Sequence, residues 1–376
     1  MNKISYPISI PDKSSFEDAY YMSLNNIDEA GINRHLANLN LNGVILNFKQ
    51  LILLPFEDLL KWNSILTNYA NSLNTVVNNK KSNNFTDLFN YTHNQPNIAE
   101  FFMNQETIEL NACYYCGIDF INAFKNIGDY KNVFDFLNRA DKNELEIIKY
   151  IGVAASKKVI NKRRSGEIRT LTNSGLDIRQ QEYVKDFNVE YTHNHFTLDH
   201  FLPQKFNKFY SLCLYNFVPS CYSCNTKFKN GRSFNTTNSL GLGQVSPTSR
   251  SYTLDKDLVF KLYYSGSLTD ISTKSDFILD IRLENNNQHT IKYLEIFKLK
   301  GRYTYHKSKA LHLIKQKNNY SESMIKEISL KIGLPLMEVK KLVFGDELFL
   351  ENFTNDPFVK FKRDIAKNIG INDVLD

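Results

Sequence analysis

Long apolar runs are missing from this chain of 376 residues. None approaches the roughly 18–20 residues that a membrane helix needs; the run Leu51–Phe56 is broken by Pro55 and followed by Glu57 and Asp58. The first residues, Met-Asn-Lys-Ile-Ser-Tyr-Pro, hold no apolar core and no small-residue cleavage site. The expectation is a cytoplasmic protein with no membrane partner. Cysteine is scarce, five residues in all, too few and odd in number for a disulfide scaffold. Arginine supplies only 11 of the 46 basic residues while asparagine is abundant, a bias that reads as codon composition rather than function. A strong net charge is lacking too: the formal value is +6, which by itself identifies no nucleic-acid partner. With 42% hydrophobic and 23% charged residues the chain is globular rather than disordered. Its length allows two or three domains at roughly 100–200 residues each.

One absence is local. Between Asp199 and Asp255 there is no acidic residue, while Lys205, Lys208, Lys227, Lys229, Arg232 and Arg250 fall inside the gap. A second basic cluster, Lys157, Lys158, Lys162, Arg163, Arg164 and Arg169, is opposed only by Glu167. Either cluster alone reads as a solvated face; the pair points to a polyanion, with Lys227, Lys229, Arg232, Lys162, Arg163 and Arg164 as candidate nucleic-acid contacts.

The few cysteines are placed in a pattern. Cys113-Tyr-Tyr-Cys116-Gly117 and Cys221-Tyr-Ser-Cys224 are two C-x₂-C pairs. Each pair can grip one side of a tetrahedral ion, and two pairs complete the closed site of a structural Zn²⁺, iron being the minor alternative. A redox role is the competing reading of a lone C-x₂-C, but neither pair sits in a recognisable strand–helix redox context. Cys213, between Leu212 and Leu214, reads as a buried apolar residue.

Periodicity divides the chain into three. Residues 1–108 are expected to be helical, with three- and four-residue spacing over 16–24, 32–41 and 59–73, Glu57 and Asp58 suiting a helix start, and His35 and His93 on the surface. Residues 109–234 hold both cysteine pairs, separated by a helical and basic insertion at about 119–190. Residues 235–376 begin with a Ser/Thr/Gly/Asn-rich connection (235–254). They continue with strands over 258–263 and 277–283 and end in helices, a mixed α/β region. The fold class expected is α+β, predominantly helical.

The chemistry gathers around the second cysteine pair. In His195-Phe-Thr-Leu-Asp199-His200-Phe-Leu-Pro203, Phe196 and Leu198 alternate with Thr197 and Asp199, a strand that Pro203 ends. Residues 216–219 can return as a second strand, and those after Cys224 can begin a helix. Asp199 and Asn225 offer hard oxygens suited to Mg²⁺ or Mn²⁺. His200 is a base that titrates near neutrality and can take a proton from water. That set is sufficient for hydrolysis of a phosphodiester. His193 and His195 read as solvent-facing or phosphate-contacting, and His306, beside Arg302, is left outside the site.

This text resembles the HNH endonucleases, the ββα-metal nucleases. Leu-Asp199-His200-Phe-Leu-Pro203 is similar to their first motif, and Asn216-Phe-Val-Pro219-Ser-Cys221-Tyr-Ser-Cys224-Asn225 to their central and final motifs, in the variant ending in Asn. The resemblance covers residues 113–118 and 195–232. It implies Asp199 and Asn225 as ligands of the catalytic metal, His200 as general base, Asn216 as the residue that holds the loop and orients His200, and the four cysteines as a structural zinc staple. It further implies DNA as substrate, with RNA left open, and a homodimer or successive nicks for double-strand cleavage. Lys227 fits the basic residues that follow the final motif, whereas Phe228 interrupts them. The text around residues 300–307 and 358–364 is reminiscent of HNH proteins that act beside an ATPase in anti-phage defence or restriction, a likeness at fold level alone. A zinc-stapled nucleic-acid-binding module without turnover is the alternative expectation, although such a module needs none of Asp199, His200 and Asn225.

Overall fold

The computed structural model describes residues 1–77, 80–187, 192–234, 241–285, 287–350 and 354–371. It is α+β with about 53% helix, in line with the expectation of a predominantly helical chain. The described strands form four antiparallel pairs: β1 (Asn74–Val77) with β2 (Lys80–Asn83), β3 (Asn122–Lys125) with β4 (Thr192–His195), β5 (Thr197–His200) with β6 (Phe217–Ser220), and β7 (Leu258–Tyr264) with β8 (Phe277–Leu283). No described helix is long and apolar enough to cross a membrane.

The chain forms two compact units, residues 1–121 with 196–376, and residues 122–195. The boundaries expected at 108/109 and 234/235 therefore fall inside the first unit, and the reason is its core. The helices Ile10–Ser23, Phe56–Ser72 and Tyr91–Met103 contribute Phe16, Tyr20, Leu59, Trp62, Ile98 and Phe102 to the same apolar cluster as Phe201, Leu212, Phe217, Phe260 and Tyr303. Polar tips join the same parts: the Tyr20 hydroxyl donates to the Leu212 carbonyl at 2.7 Å, and the Tyr210 hydroxyl to that of Leu59 at 2.6 Å. Pro55 and the acids Glu57 and Asp58 do open the helix Phe56–Ser72, as their order suggests. In the C-terminal region β7 and β8 pair in full register from Leu258↔Leu283 to Tyr264↔Phe277, and the helix Val359–Asn368 packs on them, Asp364 accepting from the Phe260 amide at 2.9 Å.

The second unit leaves and rejoins the first through one short ladder, Asn122↔His195 to Lys125↔Thr192. Between the two strands lie the helices Val133–Arg139, Lys142–Ile147, Val153–Ser165 and Ile178–Lys185. Two of them begin with reciprocal caps, Asp141 with Glu144 and Asp177 with Gln180. Phe136, Leu145, Val159 and Val184 fill a separate small core.

A candidate metal centre beside a buried Asp-His pair

The C-x₂-C spacing bends the backbone into two knuckles. After Cys116 the chain needs a left-handed residue, and Gly117 supplies it at φ +59°, its N–H donating to the Cys113 carbonyl at 2.8 Å. In the second knuckle the Cys224 N–H points at the Cys221 sulfur, 3.4 Å away. Two buried hydroxyls hold the first knuckle from behind, Tyr293 on the Tyr115 carbonyl and Tyr303 on that of Cys116, each at 2.6 Å. The result brings Cys113, Cys116, Cys221 and Cys224 together, all buried, with their sulfurs within 4.8 Å of one another. A tetrahedral ion with metal–sulfur bonds of about 2.3 Å needs sulfurs roughly 3.8 Å apart, so the four can hold a metal ion such as zinc. Burial alone would raise the Cys116 thiol. The three other sulfurs and the Arg302 cation hold it well below the ordinary value, while the neighbouring sulfurs push the Cys221 thiol up and burial, with those sulfurs, the Cys224 thiol. Cys213 is fully buried elsewhere in the core, 3.4 Å from the Leu51 carbonyl.

Arg302 belongs to this cluster although the cysteine pattern gives no hint of it. Its guanidinium donates to the Cys224 sulfur at 3.2 Å and to the Asp119 carboxylate at 3.0 Å, and it lies over the Phe228 ring. A cation here offsets the negative charge that four thiolates leave around a divalent ion.

The hairpin β5–β6 follows from the alternation around Asp199: Thr197 faces Ser220, Leu198 Pro219, Asp199 Val218 and His200 Phe217. Pro219 is tolerated because a two-stranded sheet consists only of edges. After Cys221 the chain turns into a short, wide helix, Ser223–Lys229, whose last N–H bond runs five residues back, from Asn230 to Asn225. Strand, strand and helix thus succeed one another in the order read from the sequence.

Asp199 and His200 are both buried, 6% and 8% exposed. The Asp199 Oδ2 atom accepts from the Tyr115 hydroxyl at 2.5 Å and pairs with the Lys229 ammonium at 2.8 Å. Its Oδ1 has no hydrogen-bond partner among the described residues. Lys229 also donates to the His200 carbonyl at 2.6 Å. The His200 Nε2 atom lies 2.9 Å from the Ser211 carbonyl, which can only accept, so Nε2 carries the proton and Nδ1 its lone pair. Tyr91 and Phe217 flank the imidazole with ring centroids at 4.6 and 4.9 Å. Burial lowers the His200 pKa to about 4, against smaller raising effects of the Ser211 carbonyl and Asp199.

Asn216 is completely buried and closes the loop between the strands. Its Oδ1 accepts from the Leu202 N–H at 2.7 Å, and its Nδ2 donates to the Leu202 and Tyr210 carbonyls at 3.1 and 3.2 Å. The loop so fixed runs straight into Ser211, the residue that holds His200. Asn225 is half-buried, on the face of the wide helix that four residues later presents Lys229 to Asp199.

The basic candidates separate. Lys227 and Arg232 are exposed, whereas Lys229 is 0% exposed and committed to Asp199, which takes its charge out of reach of an external phosphate. Lys162 and Arg164 are exposed on the second unit, but Arg163 turns back to the end of the helix Val133–Arg139, donating to the Ala140 carbonyl at 2.6 Å. His193 and His195 belong to β4 of that unit, beside Asn126 and Asn122. His35, expected on the surface, is half-buried against Tyr69 and Phe85, while His93 is exposed. No family model, curated protein or solved structure matches the chain.

Proposed function

We propose that the protein is a metal-dependent endonuclease of the HNH type, cutting phosphodiester bonds of DNA. The observation that carries this reading is the orientation of His200. Asn216 staples a loop whose next carbonyl accepts the Nε2–H hydrogen bond, and that leaves the Nδ1 lone pair as the basic atom of the residue that follows Asp199. A buried histidine held in one tautomer by two successive polar restraints is the construction of a general base. Burial keeps the imidazole neutral, its lone pair free, above about pH 4, and makes it a weaker base than the near-neutral titration expected from the sequence.

Asp199 Oδ1 and the side-chain oxygen of Asn225 are hard donors that fit Mg²⁺ or Mn²⁺, and the four sulfurs fit a structural Zn²⁺. When bound, the hard cation would stabilise charge on the phosphate and on the departing 3′ oxygen. The chain's own residues do the rest. His200 Nδ1 takes the proton of the attacking water, Lys229 and Tyr115 fix the Asp199 carboxylate, and the exposed Lys227 and Arg232 receive the phosphate backbone. A single such site cuts one strand per event, so double-strand cleavage would use two protomers or successive nicks. Action beside an ATPase in anti-phage defence rests on the sequence resemblance alone.

The Lys229–Asp199 pair favours a second reading, a zinc-stapled nucleic-acid-binding module, because a carboxylate satisfied from within has less need of a metal. Incubation of supercoiled plasmid with Mg²⁺ or Mn²⁺ separates the two. Nicking by the wild type and none by His200→Ala is the expected result. Equal nicking by both removes His200 as base, and binding without nicking under either ion leaves the module.

A further inference from the structure

The helices that carry Arg302 hold another long acid-free stretch. From Ile296 to Ser321 there is no Asp or Glu but seven Lys and Arg residues, Lys298 and six in the helices Leu299–Thr304 and Lys307–Asn319. They divide by face. Lys300 pairs with Asp280 at 2.9 Å, Lys317 pairs with Glu322 at 2.6 Å, and Lys307 donates to the Phe277 carbonyl, so these are held by the fold. Lys298, Arg302, Tyr305, Lys309 and His312 recur at steps of four, three, four and three. Arg302 belongs to the first helix and Lys309 and His312 to the second, while Lys298, at φ +53°, caps the first and Tyr305 stands in the turn between the two; these five form a surface apart from the buried Leu299, Tyr303, Ala310 and Leu313.

Two grooves open along this face. One, of about 390 Å³, is lined by Asp119, Lys298, Arg302, Tyr305 and His306; the other, of about 330 Å³, by Lys309, His312, Gln316, Glu347 and Lys362. The acids in them are already matched, Asp119 by Arg302 and Glu347 by Lys362, each at 3.0 Å. Lys298 and Lys309 have no carboxylate partner among the described residues, so the face carries uncompensated positive charge. Between them stands Tyr305, 89% exposed, with no ring partner among the described aromatics. The face is anchored to the cysteine cluster twice. Arg302 touches the Cys224 sulfur, and Phe358, against which Lys309 and His306 rest, donates its N–H to the Gly117 carbonyl at 2.8 Å.

We propose that this face is a track for an unpaired nucleic-acid strand, Lys298 and Lys309 taking phosphates and Tyr305 stacking on a base. The proposal rests on the nuclease reading and adds the kind of substrate. Lysines alone would serve a duplex as well. An exposed aromatic ring raised between them, in the turn that joins the two helices, has nothing to stack on in a closed duplex, whereas every unpaired base offers it a face. Arg302, at the edge of this surface, touches the sulfur of Cys224, the residue that directly precedes Asn225.

The test is fluorescence anisotropy with the full chain and no added Mg²⁺ or Mn²⁺. The probes are fluorescein-labelled dT20, rU20 and a 20-base-pair duplex. Wild type is expected to bind dT20 or rU20 at least tenfold more tightly than the duplex, and the ratio of the first two tells DNA from RNA. Tyr305→Ala should weaken single-strand binding about tenfold and Tyr305→Phe should restore it. Lys298→Ala with Lys309→Ala should reduce the slope of log K against log salt by about 1.4, at roughly 0.7 per phosphate on a single strand. Equal affinity for duplex and single strand, or a Tyr305→Ala protein within twofold of wild type, overturns the track. Plasmid nicking that persists in that variant leaves the nuclease reading standing; loss of all nucleic-acid binding in the wild type removes both.

Discussion

Lys229→Met is the sharpest perturbation the site allows. The methionine matches the lysine stem in volume and removes only the ammonium, which is fully buried between the Asp199 Oδ2 atom and the His200 carbonyl. Without it the Asp199 carboxylate keeps the Tyr115 hydroxyl and the little solvent that 6% exposure admits. Breaking one half of a buried pair costs about 3–5 kcal/mol, because the other charge stays behind. The residual exposure of Asp199 places the loss near the lower end, about 3 kcal/mol. Trp62, the one tryptophan, is buried in the first unit's core, so its fluorescence reports unfolding of the unit that holds the pair. Urea unfolding of Lys229→Met, Asp199→Asn and the double variant forms a thermodynamic cycle. The double variant should be more stable than the sum of the two single losses predicts, by about 2 kcal/mol or more. A Lys229→Met protein within about 1 kcal/mol of wild type, or strict additivity, would refute the claim that the pair holds the site together.

Two further expectations follow from the same geometry. Of the eight histidines, His200 should stay neutral until about pH 4, visible by NMR as an imidazole with a midpoint far below the ordinary 6.5. Its folded value lies below its unfolded one, so protonation favours the unfolded chain, and stability should fall as pH drops from about 6.5 towards 4, by about 3 kcal/mol in all; a midpoint above 6 would contradict the buried placement. Elemental analysis should find about one zinc per chain, lost in Cys221→Ser/Cys224→Ser. That variant should lose the compact first unit under native conditions, since a structural zinc contributes roughly 10–16 kcal/mol in small peptides; a folded, metal-free variant would show that the cysteines hold nothing.

The parts of this structure legible in the sequence are those set by near neighbours. Alternation marks β5, the strands expected over 258–263 and 277–283 form as β7 and β8, the C-x₂-C spacing marks the knuckles, and Leu212 and Leu214 mark Cys213 as buried. What escaped depends on packing between distant segments. Lys229 reads as one more basic residue in an acid-free stretch, and only the fold of the wide helix back onto β5 reveals that it neutralises Asp199. Tyr115 sits between two cysteines and reads as filler until its hydroxyl is seen on the same carboxylate. Arg302 lies 78 residues beyond the sulfur it touches. The boundary expected at 108 falls inside the first unit for the same reason, since Tyr91 rests on the His200 ring and no local pattern records that. The connection at 235–254 lies partly outside the described residues.

The ladder between β3 and β4 has a practical consequence. Partner residues in an antiparallel pair have Cα atoms roughly 5 Å apart, so the chain departs at Asn122 and returns at His195 through almost the same point. A tight Asn-Gly turn can bridge that gap. Residues 123–194 can therefore be excised as a cassette, or exchanged for another domain with neighbouring termini, while Cys113, Cys116 and the Asp-His hairpin keep their own supports. The insertion point is a ready socket for grafting.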